Sequence, residues 1–139
     1  MINLNLLKPK VKLLAEELIK ESKKIGVQII LVQGFRSTEE QDALYAKGRT
    51  EKGKIVTNAK GGQSFHNYGV AFDVCPIVNG KVTWKYAELF KKVGSIGESI
   101  GLEWGGNWKK FKDLPHFQYT AGYTLAQFKN NKIDTEKFS

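Results

Sequence analysis

Ser64-Phe-His66-Asn-Tyr-Gly69-Val-Ala71-Phe-Asp73 is the stretch on which the reading of this chain turns. Its second half, Gly69 to Val74, has the small and β-branched character of a strand, with Asp73 on it. Side chains on a strand alternate faces, so the odd, seven-residue offset between His66 and Asp73 separates them on any unbroken strand. For the two to meet, His66 has to lie in the preceding loop, swung over by Asn67-Tyr68-Gly69. The chain has only one other histidine, His116, and it too sits near a carboxylate, in Asp113-Leu-Pro-His116. Pro115 argues against a helix there, and a turn leading into a strand would aim Asp113 and His116 at one point.

Two histidines and one aspartate match the three protein ligands of a catalytic zinc site, which keeps its fourth position for water, and they leave one carboxylate over as a general base. A histidine beside an aspartate is more often an ordinary surface or core residue. Spacing alone therefore leaves both readings open.

Outward from this stretch, helices and short strands alternate. Val11, Leu14, Leu18 and Ile25 recur at helical spacing between Lys10 and Ile25, and Gly26 is a helix stop. Val27 to Gln33 reads as a buried strand. Ser37 and Glu40 form a capping-box pattern that opens a helix running to about Lys47. Arg49 to Gln63 is polar and Gly-rich without a period, and a stretch of that size in a compact domain is usually functional or mobile; its place before His66 puts it at the border of a cleft. Val78-Asn-Gly-Lys-Val82 predicts a hairpin with an Asn79-Gly80 turn. Tyr86, Leu89, Phe90, Val93 and Ile100 mark a further amphipathic helix. Leu102 to Trp108 and His116 to Tyr119 predict strand or loop pieces. From Thr124 a short last helix is expected, then a frayed tail. The pattern is α+β with a small sheet, one domain over 1–139, its core at about 8–128 and a tail at 129–139.

Bulk properties narrow the chemistry. One cysteine, Cys75, excludes an intrachain disulfide and a multi-cysteine metal cluster; a buried structural thiol is expected of it. Gly61-Gly62 lacks the Gly-Lys-Ser/Thr of a phosphate loop. No apolar run has the length of a signal peptide or a membrane span, so synthesis in the cytoplasm without a leader and action on the outside after release are expected. Twenty-two Lys and Arg against 14 Asp and Glu give a net charge of +8, which attracts polyanions. No nucleic-acid-binding motif accompanies that charge. Salt-dependent binding to DNA set beside binding to purified cell walls separates the two kinds of polyanion. Trp104, Trp108 and Phe111 divide evenly between core and substrate groove.

The opening stretch resembles the S-x-H-x-x-G-x-A-x-D signature of the zinc D-Ala-D-Ala peptidase superfamily, and Asp113-Leu-Pro-His116-Phe resembles its second signature, an acidic residue three positions before the last histidine ligand. Gly34-Phe-Arg-Ser37-Thr-Glu-Glu-Gln41 and Glu103-Trp-Gly-Gly106-Asn-Trp108 resemble the branch that contains phage endolysins and bacterial L-alanyl-D-glutamate peptidases. The similarity runs from about residue 8 to residue 128. It implies the fold shared by the D-Ala-D-Ala peptidases and the Hedgehog signalling domain, a small antiparallel sheet with packed helices. It implies Zn2+ on His66, Asp73 and His116, Asp113 as general base, Arg36 as the cation that stabilises the oxyanion, and Ser64 as a residue that contacts substrate or supports the ligands from behind. Glu103 is the rival for the base. The implied activity is hydrolysis of peptidoglycan stem peptides at the L-Ala–D-Glu bond. The alternatives are a D,D-carboxypeptidase or dipeptidase on D-Ala-D-Ala and a non-catalytic wall-binding module. The implied partners are the wall peptide and anionic cell-wall polymer, with no nucleic acid, no membrane insertion and a monomeric state. The short stretch after the last predicted helix is expected to leave no room for a separate wall-binding domain.

Overall fold

The structure is a computed structural model that describes residues 2–139. Its first long element, α1 (Pro9–Lys24), starts with Pro at the first helical position, where the missing N–H costs no hydrogen bond. It buries Val11, Leu14, Ala15 and Leu18 in one stripe. Ile25, grouped with that stripe by spacing, is the cap residue instead and is exposed; Ser22 takes the buried position. β1 (Gln28–Gln33) follows, then α2 (Thr38–Ala46), opened by the expected capping box between Ser37 and Glu40. The segment 49–63 carries no helix or named strand, as its composition suggests.

β2 (Ala71–Val78) and β3 (Lys81–Val82) form the expected hairpin around Asn79 and Gly80. β2 starts two residues later than its pattern suggests and runs on through Pro76, a residue usually kept out of sheet interiors. Pro76 remains useful as an acceptor: its carbonyl takes the Thr83 N–H at 3.0 Å. Then come α3 (Ala87–Ser99), β4 (Glu103–Trp104), β5 (His116–Gln118) and α4 (Leu125–Lys129).

The named strands form one antiparallel sheet in the order β1-β2-β5-β4, with β3 against β2. The architecture is therefore the expected α+β. α1 and α3 pack on the sheet and on each other, and Phe72, Phe117, Trp104, Val74 and Val93 fill the space between. A register shift in β1 between Leu31 and Gln33 bends its end, so that Gln33 pairs with Asp73. Asp73 in turn pairs with His116 across β2 and β5. Directly opposed residues of an antiparallel sheet project on the same face, so the sheet itself lays Gln33, Asp73 and His116 in one row.

The segment after α4 does not fray. Asp134 caps a 3-10 turn, Thr135–Phe138, and its own N–H donates to the Tyr123 hydroxyl at 3.0 Å. Phe138 is 2% exposed and packs with Tyr119, Tyr123 and Phe128. The hydrophobic core thus reaches into the expected tail. A lone Phe in a charged terminal segment carries no periodicity, and its burial is a tertiary effect. Among the described residues no helix is long and apolar enough to cross a membrane.

Candidate metal centre

His66 stands in a 3-10 turn, Phe65–Tyr68, just before β2, which is the loop position its odd offset from Asp73 demanded. Ser64 caps this turn: its Oγ accepts from the His66 N–H at 3.2 Å, and Asn67 Oδ1 accepts from the Ser64 N–H at 3.1 Å. Gly69 closes it at φ +71°, where a Cβ would also press on the backbone of Leu6 and Lys8. Asn67 further donates to the Arg36 carbonyl at 2.8 Å, and the Arg36 N–H donates to the His66 carbonyl at 3.0 Å. The loop after β1 and the turn before β2 are thereby stitched together.

Asp113 and His116 are joined by a tight turn in which the His116 N–H donates to the Asp113 carbonyl at 3.1 Å. Trp104 supports this turn from the core, its indole N–H donating to the Leu114 carbonyl at 2.8 Å. Gly105 lies directly behind it and accepts the Asp113 N–H at 3.0 Å. A Cβ on Gly105 would collide with the Asp113 carbonyl and come within 3.1 Å of the His116 Cβ, so only glycine allows this approach.

The three expected ligands converge. Asp73 Oδ1 lies 3.4 Å from His66 Nε2 and 3.2 Å from His116 Nδ1, and one donor atom from each residue falls within 4.8 Å of the others. Donors about 2.0–2.1 Å from a tetrahedral zinc are roughly 3.3 Å apart, so the spacing fits such an ion. The chemistry fits as well, since imidazole and carboxylate suit zinc. Each imidazole is also held from behind, as metal-bound histidines are: His66 Nδ1 meets the Gly34 carbonyl at 2.9 Å, and His116 Nε2 meets Gln118 Oε1 at 2.8 Å.

The charges are consistent with a site built for cations. Burial would raise the Asp73 carboxyl, but hydrogen bonds from His116 and His66, together with their charges, outweigh it and hold the group far below the usual carboxylate range. For His116, burial disfavours the imidazolium; the Asp73 bond and charge, with Gln118 and Asp113, override it and raise the pKa. Asp113 is raised chiefly by burial and then by the Asp73 charge, against a weaker pull from the two histidines.

These groups line a cleft of about 500 Å³ whose walls include Arg36, Ser64, Asp113 and Trp108. Val56, Thr57, Ala59 and Gln63 from the irregular segment form one side of it, as its position before His66 suggests. That segment is pinned rather than loose: Gln41 donates to the Ala59 carbonyl at 2.8 Å, and Asp42 accepts from the Gly61 N–H at 2.7 Å. Asp113 Oδ2 is 3.9 Å from His116 Nδ1, beside the ligand cluster without belonging to it. Arg36 is held by Gln41 at 2.8 Å and Gln33 at 3.3 Å. The Ser64 hydroxyl lines the cleft, yet its clearest task is the turn it caps.

The remaining candidates separate cleanly. Trp104 is core, while the Trp108 ring lies 5.1 Å from that of His116 and walls the cleft. Phe111 is 85% exposed on the rim of an adjoining depression. Cys75 is fully buried with its thiol donating to the Thr83 carbonyl at 3.2 Å, a structural role. Glu103 does not line the cleft; its carboxylate accepts from Gln118 at 2.7 Å and from Thr120 at 3.4 Å. Gln118 was missed from sequence, although its i+2 relation to His116 on a strand was a usable signal.

The chain also has known relatives. The chain is 42% identical over 121 residues to the peptidoglycan L-alanyl-D-glutamate endopeptidase CwlK of Bacillus subtilis, covering 81% of this chain and 72% of that protein. It belongs to the zinc D-Ala-D-Ala peptidase superfamily, in the L-alanyl-D-glutamate peptidase branch. Residues 57–119 of this peptidase match a family model described as D-alanyl-D-alanine carboxypeptidase. The L-alanyl-D-glutamate peptidase of a Listeria phage is 29% identical over 129 residues; the match covers 91% of this chain but 43% of the phage protein. Among solved structures, the L-Ala D-Glu endopeptidase ChiX of Serratia marcescens superposes with a TM-score of 0.66 at 25% identity, covering 85% of this chain and 84% of that one. The vancomycin-resistance D,D-pentapeptidase VanY shares the fold at a TM-score of 0.63 and 16% identity, over 95% of this chain and 83% of its own.

Proposed function

We propose that this peptidase is a zinc-dependent endopeptidase of the peptidoglycan stem peptide that cuts between L-Ala and D-Glu. The reading is carried by the convergence of His66, Asp73 and His116 with a non-ligating carboxylate, Asp113, beside them in an open cleft. The choice of bond is supported by the 42% identity to a relative named for that bond.

Zinc held by the three side chains supplies a Lewis acid for the scissile carbonyl and lowers the pKa of water from 15.7 to about 7. Asp113 takes the proton of the attacking water and returns it to the leaving amine. Arg36, fixed by Gln33 and Gln41 on the same cleft wall, places a permanent cation near the oxygen where negative charge develops. Trp108 shields His116 from water and narrows the cleft around the reacting peptide. Ser64 contributes by fixing the His66 turn and by offering its hydroxyl to the substrate backbone. The +8 surface holds the enzyme to anionic wall polymer, an attraction that weakens with added salt.

Mass spectrometry of muropeptides digested by the zinc-loaded protein identifies the bond. The expected products are a glycan-linked fragment ending in L-Ala and a peptide with a new amino terminus on D-Glu. Release of free D-Ala with the L-Ala–D-Glu bond intact would instead make the protein a carboxypeptidase.

A further inference from the structure

The two histidines present opposite ring nitrogens to Asp73, Nε2 from His66 and Nδ1 from His116. To give that nitrogen's lone pair to a cation, each must carry its proton on the other nitrogen. For His66 the partner is the Gly34 backbone carbonyl, which can only accept. For His116 the partner is a side-chain amide, Gln118, and an amide can turn over to present either an acceptor or a donor. A flipped Gln118 would offer its NH2 to Nε2 and push the proton onto Nδ1, the atom that faces Asp73.

Glu103 prevents the flip. β4 and β5 pair with Glu103 directly opposite Gln118. The Glu103 carboxylate accepts from Gln118 Nε2 at 2.7 Å and from Thr120 Oγ1 at 3.4 Å, while Gln118 and Thr120 are both buried. An ionised carboxylate only accepts, so it fixes the amide with NH2 outward and Oε1 toward His116. Oε1 in turn requires a proton on Nε2, which leaves the Nδ1 lone pair for a cation.

We infer that Glu103 is a positioning residue which, acting through Gln118, locks His116 in the Nε2–H tautomer and so makes Nδ1 its metal-binding atom. The inference rests on the metal reading of His66, Asp73 and His116. A cross-strand polar pair that only stabilises the sheet would look similar in the fold but would leave the imidazole tautomer alone.

The test uses the full chain, with ring-nitrogen NMR shifts of His116 in the zinc-loaded protein and zinc affinity by competition with a chromophoric chelator. Wild type should show Nε2 protonated in a hydrogen bond and Nδ1 on the metal. Gln118→Leu should lose the hydrogen-bond shift of Nε2–H and weaken zinc about tenfold, the lower end of what loss of such a partner costs. Glu103→Gln should lose part of that shift and weaken zinc by about threefold, a smaller loss because the effect is relayed. Adding Glu103→Gln to Gln118→Leu should cost nothing further, because the two act in series. The exchange variant Glu103→Gln/Gln118→Glu should restore both shifts and affinity, since a carboxylate at 118 accepts from Nε2–H by itself. Unchanged His116 shifts and zinc affinity in Glu103→Gln, or a lowered melting temperature with the Nε2–H shift intact, would overturn the inference alone. A wild-type protein that takes up no zinc would overturn the metal reading beneath it.

Discussion

Asp113→Asn should keep its zinc and lose turnover by about two to four orders of magnitude, the range attributed to a positioned general base. The substitution is nearly isosteric. The backbone bonds that build the turn, from Asp113 N–H to Gly105 and from His116 N–H to Asp113, do not depend on the side chain. The lost oxygen is not among the converging ligand atoms, so metal content should hold at the wild-type level. What disappears is the ability to accept a proton, since an amide has no such capacity near neutral pH. Turnover on a synthetic stem peptide, measured beside zinc content, checks both halves. Normal turnover would remove Asp113 from the base role. Glu103 could not inherit it, because its carboxylate is spent on Gln118 and Thr120 behind His116 and it does not line the cleft.

Asp73→Asn should have the complementary outcome: zinc content falling from one per chain to nearly none, with activity lost along with it. Asp73 is the ligand both histidines share, at 3.4 and 3.2 Å, and the only anion in the set. A neutral amide oxygen is a much poorer zinc ligand than a carboxylate. Without a cation, the carboxylate also orders the two imidazoles through hydrogen bonds, and those bonds hold its pKa down. The variant should therefore fold, since Phe72 and Val74 on either side remain core residues, but with its imidazoles less ordered. Metal analysis of the purified variant after incubation with excess zinc reads the effect. Full zinc occupancy would mean that some other carboxylate completes the site. Taken together, the two substitutions separate holding the metal from moving the proton, which no single loss of activity could do.

Local signals made much of this legible in sequence. The capping box of Ser37 and Glu40, the Asn79-Gly80 turn and the α1 stripe from Val11 to Leu18 are each specified within a few residues, and all appear where expected. The site was legible for a related reason. The odd offset from Asp73 requires His66 in a loop because side chains on a strand alternate faces, and the structure has it in a 3-10 turn. What escaped depends on contacts between distant segments. Gln118 and Glu103 matter only because β4 and β5 pair in one particular register. Phe138 looked like part of a charged tail, and only its packing on Phe128 and Tyr119 makes it core. β2 runs past its expected end at Val74, through Pro76, because it pairs there with β1 and β3. The even division of Trp104, Trp108 and Phe111 between core and groove likewise resolved only in three dimensions, where each took a different environment: Trp104 the core, Trp108 the cleft wall, Phe111 the solvent.

The most direct test of the account is the zinc X-ray absorption spectrum of the loaded wild-type protein. It should show one ion per chain with two imidazoles among a shell of nitrogen and oxygen at about 2.0–2.1 Å and no sulfur. A sulfur scatterer near 2.3 Å, the distance of a zinc–thiolate bond, or a shell with fewer than two imidazoles would contradict the assignment of His66, Asp73 and His116.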